Sequence, residues 1–327
     1  MKTALYYRSL PDKVVQCLLC PHFCLIPMGK RGLCRGRSNR NGFLYADNYA
    51  KAVALNLDPI EKKPLYHYHP GSQILSTGAN SCNMNCIFCQ NSEISQCDQD
   101  TMELETQDLI DLHETQQIKQ IAFTYTEPLT WFEYILFLAQ QLSPLGIEFV
   151  LVSNGQINPE PLRDLIPFLA AANIDLKAMN SEFYRSYCNG YLESVLASIE
   201  SIFNAGIHLE ITNLLIPGLN LDHEKIASLV DFIAGLSPDI PLHFSAYHPA
   251  HKCALPKTEQ RQIISACKSA SKRLNYVYAG NVSRTEFSDT RCPECKMTLI
   301  ERKGLFVNTL LVDKLCPRCS ATIYGVF

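Results

Sequence analysis

The stretch Ser81-Cys82-Asn83-Met84-Asn85-Cys86-Ile87-Phe88-Cys89-Gln90-Asn91 carries three cysteines at the spacing C-x3-C-x2-C. It follows directly on Ile74-Leu75-Ser76-Thr77-Gly78, a short apolar run that reads as a buried strand. Three thiolates on one loop can bind three irons of a [4Fe–4S] cube, which takes four ligands in all. The fourth iron then lacks a protein ligand and is open to another molecule. Packing alone rarely gathers three cysteines within eight residues, so a buried thiol group or a disulfide accounts for this loop less well.

The chain around this loop has 327 residues, 47% hydrophobic and 19% charged, which suits one large core with one or two small appendages. A net charge of −3 argues against a protein built to bind nucleic acid non-specifically. Lys30, Arg31, Arg35, Arg37 and Arg40 form a local basic cluster that reads as a solvated face. Met1-Lys2-Thr3-Ala4-Leu5-Tyr6-Tyr7-Arg8 has no apolar signal core, and no segment approaches the ~20 apolar residues of a membrane span. A cytoplasmic location is expected. In such a chain fifteen cysteines point to metal and redox chemistry before disulfides.

The cysteines fall into groups. Cys17, Cys20, Cys24 and Cys34, with Gly29 and Gly32 between them, have the count and turn chemistry of a four-thiolate metal site. Zinc would make it a structural knuckle and an iron–sulfur cluster an electron relay; spacing does not choose between them. Cys292-Pro293-Glu294-Cys295 and Cys316-Pro317-Arg318-Cys319 are two C-P-x-C turns flanking a β-rich stretch, the pattern of a zinc ribbon or rubredoxin-like knuckle. Lys296 and Ser320 stand after these knuckles, where glycine is common because the position often takes positive φ. Cys97, Cys188, Cys253 and Cys267 read as buried or incidental. The segment 58–71 reads as a proline-bounded loop whose His67 and His69 are hydrogen-bonded rather than metal-binding.

From residue 73 to 280 strand-like and helix-like runs alternate, the pattern of a parallel α/β architecture. Strands are expected near 73–78, 120–125, 147–152, 172–177, 207–216, 241–246 and 275–279. Helices are expected near 105–118, 129–142, 159–170, 191–205, 222–235 and 258–273, with Asp222 and Thr258 as N-caps. A repeat of about 30 residues is the size of one βα unit. Six units predict a partial (β/α)6 barrel with chemistry at the C-terminal strand ends, where the cysteine loop lies. The expected domains are a Cys-rich N-terminal extension (1–70), the partial barrel (71–285) and a C-terminal zinc-ribbon-like module (286–327).

The cysteine loop resembles that of the radical S-adenosylmethionine (SAM) superfamily, and the core from about 73 to 280 is similar to pyruvate formate-lyase activating enzymes. Val152-Ser153-Asn154-Gly155, Ile174-Asp175-Leu176-Lys177, Ile211-Thr212 through Pro217-Gly218, and Tyr247-His248 look like that family's strand-end motifs. The full chain resembles most closely the radical SAM enzyme of the AmmeMemoRadiSam system. It shares the Cys-Pro-His-x-Cys set, the Asp58-Pro59-Ile60-Glu61-Lys62-Lys63-Pro64-Leu65-Tyr66-His67 loop, the Cys-Gln-Asn ending and the C-terminal knuckles. The resemblance implies that Cys82, Cys86 and Cys89 ligate a [4Fe–4S] cluster. It implies that Glu127 accepts from SAM's ammonium, that Ser153 and Asn154 meet the ribose, and that Asp175, Lys177, Thr212 and His248 serve the carboxylate side and the substrate mouth. Tyr125 and Thr126 stand where the superfamily has two glycines.

The expected function is reductive cleavage of SAM to a 5′-deoxyadenosyl radical that takes hydrogen from a small molecule or a protein. A glycyl-radical-enzyme activase is the alternative within that chemistry, and a non-catalytic iron–sulfur or zinc electron-transfer or scaffold protein lies further off. The chemistry requires an external donor of the ferredoxin or flavodoxin type. Other proteins of the AmmeMemoRadiSam system are candidate partners.

Overall fold

The computed structural model describes residues 2–304, 306–311 and 313–327. Seven parallel strands form its centre: β1 (Gln73–Ala79), β2 (Gln120–Phe123), β3 (Glu148–Ser153), β4 (Leu169–Asp175), β5 (His208–Leu215), β6 (Leu242–Ala246) and β7 (Val277–Gly280). They lie side by side in chain order. Six helices connect them: α1 (Thr106–Gln116), α2 (Phe132–Leu142), α3 (Pro159–Leu165), α4 (Leu192–Asn204), α5 (His223–Leu236) and α6 (Gln260–Ala270). Strand residues are buried almost without interruption, as parallel strands covered on both faces require. Phe123 and Phe149 stack at 5.6 Å between ring centroids on neighbouring strands, and Trp131 packs against Phe123 at full burial.

The strand order is open. Its far edge is β7, and at the near edge the antiparallel strands Lys51–Pro59 and Met102–Glu103 extend the sheet beyond β1. The fold is therefore mixed α/β around a central parallel sheet, with no hydrogen-bonded closure among the described residues. The expected loop 58–71 begins inside that added strand and continues through a 3₁₀ turn at Ile60–Lys62. Strand patterning was not visible there because Lys51–Pro59 is half-covered and does not alternate cleanly.

Most helix boundaries fall near their expected places. Thr258 is not the cap of α6: Glu259 holds that position in a reciprocal capping box with Gln262, and the Thr258 hydroxyl donates to the Leu215 carbonyl instead. Asp222 precedes α5, but its carboxylate pairs with Lys225 rather than with a backbone N–H. The solvated-face reading of the basic cluster fails at Arg37, which is 1% exposed and ion-paired with buried Glu133 at 2.5 Å. Arg31 and Arg40 do sit at the surface, paired with Asp98 and Asp47.

The N-terminal residues form two small three-stranded antiparallel sheets, and their apolar side chains, such as Val15, Leu19 and Leu44, join the main core. The C-terminal residues form a third such sheet over a separate cluster that includes Tyr276 and Tyr278. One buried carboxylate ties three segments together. Glu210 on β5 accepts from the backbone N–H groups of Tyr66 and His67 and contacts His208 and His243. His67 reaches the Tyr324 carbonyl and the Tyr278 hydroxyl, as a hydrogen-bonded loop histidine, far from the cysteine loop.

Candidate functional site

A cavity of about 730 Å³ opens over the C-terminal ends of the parallel strands. Register explains what reaches it. Ser153 pairs with Ile174, Asp175 with Thr212, and Leu214 with Ser245, so one residue after another along the strand ends meets the same space. Cys82, Cys86, Cys89, Glu127, Ser153, Asn154, Asp175, Lys177 and Thr212 all line it. His248 does not: it is exposed beyond the end of β6. Tyr247 before it is buried and donates to the Cys253 carbonyl, which fixes the turn that carries His248 away, while Ser245 on β6 lines the cavity.

The cysteine loop leaves β1 through Gly78. A Cβ there would lie 2.3 Å from the Thr124 carbonyl oxygen, so only glycine lets β1 and β2 approach this closely. Asn83 then holds the loop by donating to the Gln156 carbonyl, and the Asn85 and Ile87 N–H groups donate to the Cys188 and Tyr187 carbonyls. Those acceptors belong to a π-helical turn, Tyr184–Cys188, which brings Cys188 beside Cys86. Reading Cys188 as buried was correct, but its place next to Cys86 had no signal in the sequence.

Glu127 is fully buried at the end of β2 and organises the neighbouring turn. Its Oε1 accepts from the Leu129 N–H and the Ser153 hydroxyl, and its Oε2 from the Asn154 N–H. A carboxylate has about four acceptor positions, so Oε2 retains one. Burial pushes the Glu127 carboxyl up to about 7, against those three hydrogen bonds, which pull it down. The Asn154 side chain in turn donates to Asn83 Oδ1 at 3.0 Å, linking the β3 turn to the cysteine loop. Ser153 and Asn154 thus act first on the protein's own turns.

On the opposite wall Lys177 Nζ donates to Asp175 at 2.9 Å. Burial would lower this ammonium, but Asp175 and the nearby Cys86 and Cys188 sulfurs override it and hold the group well above its usual value. The Thr212 hydroxyl donates to Asn173 within the sheet.

Residues outside the expected set complete the mouth. Asp58 accepts from Lys63 at 2.9 Å and from the Tyr125 hydroxyl at 2.7 Å, and the Lys63 ammonium lies 4.5 Å from the Tyr125 ring centroid. Burial pushes the Asp58 carboxyl up, yet the bonds from Lys63 and Tyr125 outweigh it and bring the group down to about 2. Tyr125 takes φ 69°, the left-handed region that glycine enters freely. Asn91 donating to its carbonyl and Asp58 holding its hydroxyl keep it there without glycine. The signal for this wall was the Asp-Pro-Ile-Glu-Lys-Lys run itself, whose first acid and both lysines line the cavity.

The two terminal cysteine sets differ in scale. Among the described residues, Cys292, Cys295, Cys316 and Cys319 alone bring three or more ligand atoms within 4.8 Å of one another. Cys292 and Cys319 sulfurs are 3.5 Å apart, and those of Cys295 and Cys316 3.6 Å. Tetrahedral ligation at a metal–sulfur distance of ~2.3 Å separates sulfurs by about 3.8 Å, so the set fits one ion. Lys296 and Ser320 supply φ 59° and 58° after each knuckle, the conformation the turns need, without glycine. Cys17, Cys20, Cys24 and Cys34 line one pocket together with Arg37, Asn83 and Thr130.

Comparison with known proteins agrees with this arrangement. Residues 77–230 match the model of the radical SAM superfamily. An uncharacterised protein of Methanocaldococcus jannaschii is 36% identical over 99% of both chains. A probable GTP 3′,8-cyclase of Methanothermobacter marburgensis is 24% identical over 51% of this chain and 55% of its own. The solved radical SAM methyltransferase of Sphaerobacter thermophilus shares the fold at a TM-score of 0.52 and 13% identity, covering 66% of this chain and 68% of its own. No helix among the described residues is long and apolar enough to cross a membrane. With its cysteine loop at the mouth of the first of seven parallel strands, the chain is an enzyme of the radical SAM superfamily.

Proposed function

We propose that the protein binds SAM on a [4Fe–4S] cluster held by Cys82, Cys86 and Cys89, and uses the resulting radical to take hydrogen from a small molecule or a protein side chain. The single observation that carries this is that three half-buried thiols and the Glu127, Asp175 and Lys177 charges line one cavity. The three sulfurs are not gathered at the spacing of a single ion, which suits ligands of three different irons. A [4Fe–4S] cluster held by Cys82, Cys86 and Cys89 would supply the one-electron reducing chemistry for cleaving SAM at a carbon–sulfur bond.

The chain's own residues supply placement. Oε2 of Glu127 has one acceptor position left for an ammonium donor, a charge-assisted bond in a dry site. Lys177, already held by Asp175, is the cation available to a carboxylate. Asn154 and Ser153 shape the turn expected to meet the ribose, and Thr212 the floor beneath it. Asp58, Lys63 and Tyr125 stand at the mouth, where a substrate would enter. The open parallel sheet is consistent with the curvature of a partial (β/α)6 barrel, which we include in this reading. The four C-terminal thiols are assigned to zinc, with a structural role. The external donor is of the ferredoxin or flavodoxin class, and the other proteins of the AmmeMemoRadiSam system are the proposed partners.

Electron paramagnetic resonance of the anaerobically reconstituted, reduced protein tests the binding step. Adding SAM should change the cluster signal, and Cys82→Ala should abolish that change. A reduced cluster whose spectrum is indifferent to SAM would refute the reading.

A further inference from the structure

The N-terminal cysteines carry an assignment that their sequence spacing left open. Cys17 ends the strand Val15–Cys17, and Cys24 directly precedes its partner Leu25–Ile26, with the Cys17 N–H donating to the Cys24 carbonyl. Cys20 lies in the turn between them, and Cys34 returns after the glycine turns. All four line one small, tightly enclosed pocket whose walls include the apolar side chains of Leu19, Ile26 and Leu33.

Scale separates the candidate metals. Four sulfurs on one zinc stand about 3.8 Å apart. Sulfurs bound to four different irons of a cube stand roughly 6 Å apart, because an iron–iron edge is added between them. The C-terminal set is gathered within 4.8 Å, while Cys82, Cys86 and Cys89 are not, and the N-terminal set falls with the latter among the described residues.

The surroundings agree. Arg37 lines the pocket at 1% exposure. Its Nη1 donates to the Cys17 sulfur at 3.8 Å and its Nη2 to Glu133, while its Nε is a buried donor with no protein partner. A buried guanidinium offsets part of the negative charge of a four-thiolate centre, and a bridging sulfide would satisfy the orphaned N–H. The pocket also adjoins the cavity. Asn83 forms part of its wall, and Cys82, the residue before it, lines the cavity. His22, between Cys20 and Cys24, lies 2.7 Å from the Asn83 carbonyl.

We propose that Cys17, Cys20, Cys24 and Cys34 hold a second [4Fe–4S] cluster, which passes electrons from an external one-electron donor to the cluster on the Cys82 loop. The site stands on its own geometry, and only its relay role rests on the proposed function. Each transfer moves one electron. The donor is oxidised by one, the N-terminal cluster is reduced and then reoxidised by one, and the second cluster is reduced by one; no bond forms and no proton moves.

The full chain, reconstituted anaerobically with iron, sulfide and zinc together, decides the site. About eight irons, eight sulfides and one zinc are expected, and the Cys82/Cys86/Cys89→Ala triple variant should keep about four irons. About four irons and two zincs in the wild type, or an iron-free triple variant, would overturn the assignment. The relay is tested with Cys20→Ser/Cys34→Ser. With reduced flavodoxin, 5′-deoxyadenosine formation should fall by at least about tenfold, and with dithionite by much less. Equal losses with both donors, or none, would overturn the relay while leaving the metal count decisive for the site. If the variant does not fold, spin–spin broadening between two clusters in the reduced wild type is expected instead, and its absence counts against the relay. Absence of 5′-deoxyadenosine from the wild type with either donor would refute the SAM reading and leave the iron count untouched.

Discussion

Glu127→Gln tests whether the cavity trades stability for binding. In the folded protein the Glu127 carboxyl sits at about 7 against an ordinary 4.5, chiefly because it is buried. The folded state therefore holds this proton more tightly than the unfolded chain does. Between pH 4.5 and 7 it binds more protons, so stability falls as the pH rises through that window and levels off above it. The difference, 7 − 4.5 = 2.5, converts at roughly 1.36 kcal/mol per pH unit into about 3 kcal/mol. Glutamine cannot ionise and lacks this term. Urea denaturation of the iron-free, reduced protein at pH 4.5, 7 and 8.5 should show the wild type losing about 3 kcal/mol more than the variant between the first and last pH. Every other titrating group is common to both proteins and cancels. Parallel curves, with a difference independent of pH, would refute the idea that a buried charge waits here for a cationic partner. In the reconstituted protein, SAM affinity should rise with pH through the same window in the wild type and stay flat in the variant.

Three further perturbations test the frame around the site. Gly78→Ala forces β1 and β2 apart at the Thr124 carbonyl, and should cost about 2 kcal/mol in urea denaturation and lower the iron retained per chain. Glu210→Ala strands two backbone N–H groups and two histidines in the core, and should cost about 3–5 kcal/mol with earlier proteolysis near residue 286. Cys295→Ser should abolish tightly bound zinc, read by a chromogenic chelator, and expose residues 286–327 to protease. Deoxyadenosine formation with dithionite should survive that last change.

The seven core strands were legible because parallel strands covered on both faces are apolar throughout, and the helices between them have the length and periodicity that resolve the ambiguity. The cysteine loop stood out because three cysteines at such close spacing are rarely placed by packing alone. Most of the cavity wall followed, since the residues named lie at or near the C-terminal ends of strands. What escaped depends on packing between distant segments. Arg37 reads as a surface cation until Glu133, 96 residues away, is seen beneath it. Cys188 reads as incidental until a π-helical turn carries it to Cys86. Asp58 and Lys63 read as loop residues because the added strand that contains Asp58 and ends shortly before Lys63 does not alternate cleanly. His248 failed for the opposite reason: a motif position was assigned to the site, but the turn fixed by Tyr247 points it outward.

The most direct test of the central claim is the product of SAM cleavage. The reconstituted protein, reduced with dithionite under strict exclusion of oxygen and given SAM, should form 5′-deoxyadenosine and methionine in equal amounts. Cys82→Ala, Cys86→Ala and Cys89→Ala should each reduce this to the level of reagents alone. A wild type that forms no 5′-deoxyadenosine despite a full cluster, or cysteine variants that form as much as the wild type, would contradict the account.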